Sequence, residues 1–377
     1  RPVNMLYSRR ESLMTHPKRH ATVIRVKTGA KLDGRLTAVE AELYGDSGAY
    51  ASLGEKVMTR TTTHASGPYD VPHVKIDCYA MYTNNAPCGA FRGFGVTQSA
   101  FAVESNMDIL AEKLGMDPVE LRLKNAMRVG TMTATGQTLR ESVGMEECLE
   151  RVTADIEAWR VAQTAESDDL WSPHEKGSKR YAWGVAAGYK NTGLGGGAPD
   201  KSEAEVEVYP NGTVEIRTSS AEMGQNLIGV LAACAAEELG VHFDDVSVLV
   251  MDTDKAPDGG PTTASRQTYV SGNAARLAAR TMRERMQGVL AEKYDVPPES
   301  IRYVEGLAQV NGQQITMNQV ATLMKEEGRI PLASFEYWAP ETFPLEVQGD
   351  KHFAFSFAAQ AVEVEVDMRT GEVSVLR

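Results

Sequence analysis

The chain has 377 residues, of which 42% are hydrophobic and 24% charged, with a formal net charge of −12. That length suits two or three domains with a sizeable core. The acidic balance argues against nucleic acid or an anionic membrane as the main partner, and the longest apolar stretch, 228–236, is too short to span a bilayer.

Residues 22–49 read as a β-hairpin or meander. Val23, Arg25 and Lys27 alternate with Ile24, Val26 and Thr28, Asp33-Gly34 supplies a turn, and the extended pattern resumes from Leu36. A further strand is expected over 74–82, then a turn at Asn84-Asn85-Ala86-Pro87. Next comes Gly89-Ala90-Phe91-Arg92-Gly93-Phe94-Gly95. Glycines permit close approach of the backbone to a ligand, the arginine suits an oxyanion, and the two rings suit the wall of a pocket. Helical spacing then covers 98–114, and Asp117-Pro118 opens a short helix to about 126. A Thr- and Gly-rich loop (131–139) and a helix over 142–163 follow.

The polar, non-periodic stretch 165–180 is the expected linker, which divides the chain into 1–164 and 181–377. Beyond it, strands are expected at 204–208 and 213–216, a helix from Gln225 to Leu239, and a strand at 246–251. A long helix covers 273–294, a small strand–turn–strand–helix unit covers 297–320, and a closing hairpin spans 361–375. Helices and antiparallel hairpins mix without regular βαβ alternation, so the class is α+β, with mixed and antiparallel sheets and packed helices.

Cys78, Cys88, Cys148 and Cys234 stand apart, with no Cys-x-x-Cys pair. This excludes the common iron–sulfur and zinc patterns and fits a reducing, cytoplasmic setting. The chain opens on Arg1, and the expectation is a piece of a longer protein. Four loops concentrate small residues and hydroxyls: 89–95, 193–197, Ser219 to Gln225, and Gly259 to Thr268. Three of them run into helices, whose N-terminal amides suit anions; ordinary capping is the alternative for each taken singly. Arg60 stands in a segment of low charge, where a ligand contact and a solvated loop position are both open.

Taken together, Ala90-Phe91-Arg92-Gly93-Phe94-Gly95 with Gln98, Glu222-Met223-Gly224-Gln225, and Pro261-Thr262-Thr263-Ala264-Ser265 resemble the molybdenum-binding subunit of the xanthine dehydrogenase and aldehyde oxidase family. The resemblance runs through nearly the whole chain. It implies two molybdopterin-binding-type domains, both incomplete. It also implies a molybdopterin cofactor with molybdenum, carried in many bacterial members as the cytosine dinucleotide, and hydroxylation of a purine-like N-heterocycle with oxygen from water. Aldehyde- and nicotinate-type oxidation, or an inactive fragment, are the alternatives. Ala90, Phe91 and Arg92 would border the metal centre, and Phe94 would stack on the substrate. Met223, Gly224, Gln225, Thr262, Thr263, Ala264 and Ser265 would hold the pterin and its phosphate. Arg60 falls where purine-hydroxylating members orient the substrate. Iron–sulfur clusters and FAD are implied on partner domains or subunits in an oligomeric assembly. The family's general-base glutamate is expected beyond residue 377. Asn226 stands where the family usually has glycine.

Overall fold

The computed structural model describes residues 3, 5–162 and 174–377. They form two compact units, Arg1–Lys190 with Phe355–Arg377, and Asn191–Ala354. The expected break at 165–180 is not where compactness divides the chain: 181–190 and 355–377 belong with the first unit, and 163–173 lie outside the described residues.

In the first unit, α1 (Arg9–Thr15) leads into β1 (Thr22–Ala30), which pairs antiparallel with β2 (Leu36–Gly48). The hairpin read from the sequence is therefore present. Val39, Ala41 and Leu43 of β2 are buried, while the opposite face carries Glu40 and Glu42 beside Arg25 and Lys75. This period of two is what fixes the register of a half-buried sheet.

The segment containing Arg60 is helical, α2 (Gly54–Thr63), and it joins β2 to β3 (His73–Tyr82) in a parallel pairing. The sequence reading had no helix there. A Thr-rich segment has weak helix propensity, but here the Thr59, Thr61 and Thr62 hydroxyls bond carbonyls one turn back (2.9, 3.1 and 2.8 Å). Burial of Met58 against Leu43, Ile24 and Ile76 of the sheet does the rest. Helices α3 (Val96–Leu114) and α4 (Pro118–Asn125) follow within two residues of their expected starts, and α5 (Met145–Ala162) continues the chain. Past the undescribed stretch, β4 (His174–Lys176) pairs antiparallel with β5 (Lys179–Thr192), on which Val185, Ala187 and Tyr189 are buried at alternate positions.

The second unit is a sheet ordered β12-β6-β7-β8, built from β6 (Lys201–Val208), β7 (Val214–Thr218), β8 (Val246–Val250) and β12 (Leu332–Trp338). Helix α6 (Leu227–Leu239) connects β7 to β8 in parallel, a second isolated βαβ unit in an otherwise antiparallel arrangement. Helix α7 (Gly272–Tyr294) buries Ala274, Ala275, Ala278, Ala279, Met282 and Met286 in the core it shares with β6. The small methyls at this spacing let the helix lie close to the strands. The small unit expected at 297–320 appears as β9 (Arg302–Val304), β10 (Leu307–Val310), β11 (Gln313–Thr316) and α8 (Met317–Glu326). Strand β13 (Ala354–Asp367) then returns to the first unit, between β5 and β14 (Val373–Val375), completing the closing hairpin. The class is α+β, as expected.

One buried node ties the first unit together. The Glu104 carboxylate accepts from Arg122 Nε (2.8 Å), Tyr69 Oη (2.6 Å) and the Ala187 amide (2.8 Å). Arg122 is wholly buried and also donates to the carbonyls of Pro118 and Glu104. Replacing Glu104 by alanine leaves the buried Arg122 with only Asp108 (2.8 Å) as a carboxylate partner and strands a hydroxyl and an amide. The expected cost is about 3–5 kcal/mol, the range for breaking a buried ion pair, read from urea unfolding of the chain. A loss below about 1 kcal/mol, the size of an ordinary hydrogen bond, would show the node to be peripheral.

Candidate functional site

The expected site residues fall in both units, and each set has its own local geometry. In the first unit, Gly93, Phe94 and Gly95 are three consecutive residues with positive φ (95°, 47° and 97°). Phe94 is the costly member, at roughly 1–2 kcal/mol for a left-handed non-glycine residue. Gly95 is required for space as well as for φ: a Cβ there would come within 2.2 Å of the Val57 carbonyl oxygen and 2.9 Å of the Thr61 nitrogen. The loop therefore sits on α2, the helix that carries Arg60.

Arg19 clamps the same loop from the other side. Its guanidinium donates to the Arg92 carbonyl (2.5 Å) and the Thr97 hydroxyl (2.6 Å), and lies 4.5 Å from the Phe91 ring centroid. Sequence reasoning gave Arg19 no such role, because nothing local links it to a residue 73 positions later. Residues 18 and 88 form a parallel bridge, with the Gly89 amide donating to the Lys18 carbonyl (2.9 Å). Ala90, Phe91 and Arg92 are exposed, Phe94 is half-buried, and Cys88 is buried with its thiol pushed up by burial, an inert sulfur.

Arg60 is half-buried, and desolvation lowers it to about 10, so it stays charged at neutral pH. One turn on, the buried His64 donates from Nδ1 to the Arg60 carbonyl (3.1 Å) and packs on the Tyr189 ring with centroids 4.7 Å apart. Burial first, then the charges of Lys190 and Arg60, push His64 down to about 3.

In the second unit the two expected loops meet. The Thr262 hydroxyl accepts from the Ala221 amide (2.8 Å) and from Gln267 Nε2 (2.8 Å), and donates to the Ala221 carbonyl (3.2 Å). A hydroxyl has one proton and two lone pairs, so Thr262 uses all of them to tie the loops. Ala264 and Ser265 both have positive φ (52° and 54°), and the Ala264 carbonyl accepts from Gly193 of the third glycine-rich loop (3.0 Å).

The start of α6 corrects one expectation. Its amides do not stand open for an anion. The Glu222 carboxylate accepts from Gly224 (2.7 Å), Asn226 (3.2 Å) and Ile228 (3.1 Å), a cap supplied by the preceding turn. Gln225 folds back, accepting from Met223 and donating to Ala221. Asn226 has φ 63°. Asparagine tolerates this left-handed region better than most residues, which accounts for its standing in a glycine's place.

Arg266 fixes both loops. Wholly buried, it donates to Asp200 Oδ1 (2.6 Å), to the carbonyls of Gly259 and Pro261 (3.0 Å each), and to the carbonyl of Lys201. The other oxygen of Asp200 accepts from the Leu194 amide (2.8 Å).

The chain matches the molybdopterin cofactor-binding domain family twice, over residues 1–126 and 153–377. Fold and loops thus define a molybdopterin-binding protein. The chain belongs to the molybdopterin cofactor-binding domain family. A probable xanthine dehydrogenase subunit of Bacillus subtilis is 31% identical over 376 residues, 100% of this chain and 48% of that protein. The nicotinate dehydrogenase large molybdopterin subunit of Eubacterium barkeri is 52% identical over 151 residues, 40% of this chain and 36% of that protein. The crystal structure of aldehyde oxidoreductase from Desulfovibrio desulfuricans is similar with a TM-score of 0.75 at 28% identity, over 95% of this chain and 36% of that one. The chain spans less than half the length of these relatives.

The residues present fit such a cofactor. Gln98 Nε2, just behind the 89–95 loop, is buried without an acceptor, a donor awaiting a partner. A Cβ on Gly224 would meet nothing within 4 Å, so the backbone there is open to close approach.

Two outcomes follow. Arg266→Met leaves Asp200 and several carbonyls unsatisfied and is expected to cost about 3–5 kcal/mol. Hydrogen exchange should accelerate across 193–201 and 257–267, and unchanged exchange would mean that other contacts hold these loops. For His64, the folded pKa near 3 lies below the unfolded value of about 6.5. The unfolded chain therefore gains a proton first as pH falls below about 6.5, and stability drops by about 1.4 kcal/mol per pH unit. His64→Gln removes that titration. Its stability relative to the wild type should improve by about 2 kcal/mol between pH 7 and pH 5, and a pH-independent difference in denaturant melts would refute the assignment.

Proposed function

We propose that the chain forms the cofactor-binding core of an oxidoreductase that hydroxylates a purine-like aromatic N-heterocycle with oxygen from water. One observation carries the choice of a heterocycle: the loop bearing Phe94 is seated through Gly95 on the helix bearing Arg60. A flat ring stacked on Phe94 would lie beside a cation that is desolvated and still charged. Such a donor favours a transition state in which negative charge grows on ring nitrogens. An aldehyde has no ring to take up that charge.

The molybdenum–pterin group supplies, when bound, the two-electron oxidation of the ring C–H. Within the first unit, Arg92 with Ala90 and Phe91, held in place by Arg19, would be the residues to border such a group. Within the second unit, Met223, Gly224 and Gln225, with Thr263, Ala264 and Ser265, would be the residues to hold a pterin, and Thr262 keeps their loops joined. Electrons pass to iron–sulfur and flavin partners. All four cysteines are free thiols, which supports a cytoplasmic setting. No described helix is long and apolar enough to cross a membrane.

In the native holoenzyme, Arg92→Ala is expected to abolish turnover of every substrate while the chain still folds. Arg60→Met should lower kcat/KM for N-heterocycles by about 100- to 1000-fold, the effect of losing one preorganised electrostatic donor, and leave aldehyde oxidation near the wild-type rate. Equal losses for both substrate classes would remove Arg60 from substrate recognition. Wild-type rates with Arg92→Ala would remove the 89–95 loop from the active site.

A further inference from the structure

Arg19, Thr97 and Gln98 form a chain of hydrogen bonds behind the 89–95 loop. The Arg19 guanidinium donates to the Thr97 hydroxyl (2.6 Å), and Thr97 Oγ1 donates to Gln98 Oε1 (2.9 Å). At the far end, Gln98 Nε2 is buried without an acceptor among the described residues.

The donors along this chain have one consistent order. A guanidinium only donates, so Thr97 Oγ1 gives it a lone pair. The hydroxyl has a single proton, and the Gln98 amide oxygen takes it. The opposite orientation of the Gln98 amide would turn a second donor on Thr97 and remove the acceptor of its proton. Gln98 is therefore held with its oxygen toward Thr97 and its NH2 group turned away. The chain also starts from a fixed point, because Arg19 is anchored independently of Thr97. It donates to the Arg92 carbonyl (2.5 Å) and lies 4.5 Å from the Phe91 ring centroid.

An NH2 group buried with nothing to accept from it is costly. Packing alone would be served by an apolar side chain. A donor held in one direction suits an oxygen that has lone pairs and no proton. It opposes an N–H edge, which would set donor against donor.

We propose that Gln98 is a cofactor-contacting residue, its NH2 group donating to an anionic oxygen of the molybdenum–pterin group, and that Arg19 and Thr97 are positioning residues that fix the direction of its amide. This rests on the placement of the 89–95 loop beside that group.

Glutamate in place of Gln98 separates this role from a structural one. It has the same shape, still accepts from Thr97, and adds a negative charge on the side of Arg19. A residue that only satisfied Thr97 would be kept or improved by the change. A residue that donates to an anionic oxygen would instead bring two anions together.

The test is release of the cofactor from the native holoenzyme, followed by molybdenum content and pterin fluorescence after timed incubation and gel filtration. Urea melts of the same proteins freed of cofactor are run alongside. Gln98→Glu should release the cofactor about ten- to a hundredfold faster than the wild type, the effect of losing one hydrogen bond to a charged group. Its cofactor-free melt should be unchanged or shifted to higher urea. Thr97→Ser keeps the hydroxyl and should hold the cofactor as the wild type does, whereas Thr97→Val frees the amide to turn and should release it faster. Should Gln98→Glu fail to fold, Gln98→Met decides, since it removes the donor without adding charge. Release at the wild-type rate from either Gln98 variant overturns the contact, and from Thr97→Val it overturns the positioning role. If Gln98→Glu holds the cofactor while Arg92→Ala still abolishes turnover, the inference fails and the loop keeps its place at the active site. If Arg92→Ala also turns over at the wild-type rate, both fail.

Discussion

A buried guanidinium must find an acceptor for its N–H groups, and this constraint shapes the loops of both units. Arg266 meets it with one carboxylate and three main-chain carbonyls. Those carbonyls belong to Gly259, Pro261 and Lys201, so the paths of the 259–265 loop and of the start of β6 are set by the geometry of one side chain. Asp200 carries the constraint further, because its second oxygen holds the Leu194 amide and with it the glycine-rich loop. Lysine could not replace Arg266, since a point ammonium lacks the planar fork that reaches all these acceptors. Arg122 and Glu104 play the corresponding part in the first unit, joining α3, α4, Tyr69 and β5. Such pairs add little stability over a well-packed apolar core. Their effect is to specify position, which is what loops presenting a large cofactor need.

The strain in these loops has the same logic. Phe94, Ala264 and Ser265 are held in left-handed conformations that their side chains disfavour. Each lies next to a rigid anchor: Phe94 beside Gly95, wedged on α2, and Ala264 and Ser265 immediately before Arg266. Free loops would relax to ordinary φ values. The anchors hold the backbone in a shape that exposes amides and carbonyls at close range, and the cost is met by packing elsewhere in each unit.

Much of this was legible in the sequence. Strands announced themselves by alternation, as in Val23 to Thr28, and helix starts by Asp117-Pro118 or by the glycine before Val96. The loops were legible by composition, and their family by the particular order of Phe-Arg-Gly-Phe-Gly, Glu-Met-Gly-Gln and Thr-Thr-Ala-Ser. What escaped was set by distant partners. Helix α2 is Thr-rich and forms because Met58 finds the sheet. Arg19 reads as one basic residue among several until Phe91 and the Arg92 carbonyl arrive beside it. Glu222 looks like part of an anion-binding turn and is instead the anion that the turn binds.

Net charge and local charge point in opposite directions here, and the difference bears on selectivity. The whole chain is acidic at −12, a field that disfavours anions at long range. That field is screened within roughly a Debye length, about 8–10 Å in physiological salt. Arg60 and Lys190 are partly desolvated, so their own attraction is screened far less than the surface charges are. A small anion approaching the first unit is thus not steered there by the protein as a whole. It is retained only where short-range contacts hold it. Selectivity on such a surface comes from dissociation rather than from encounter.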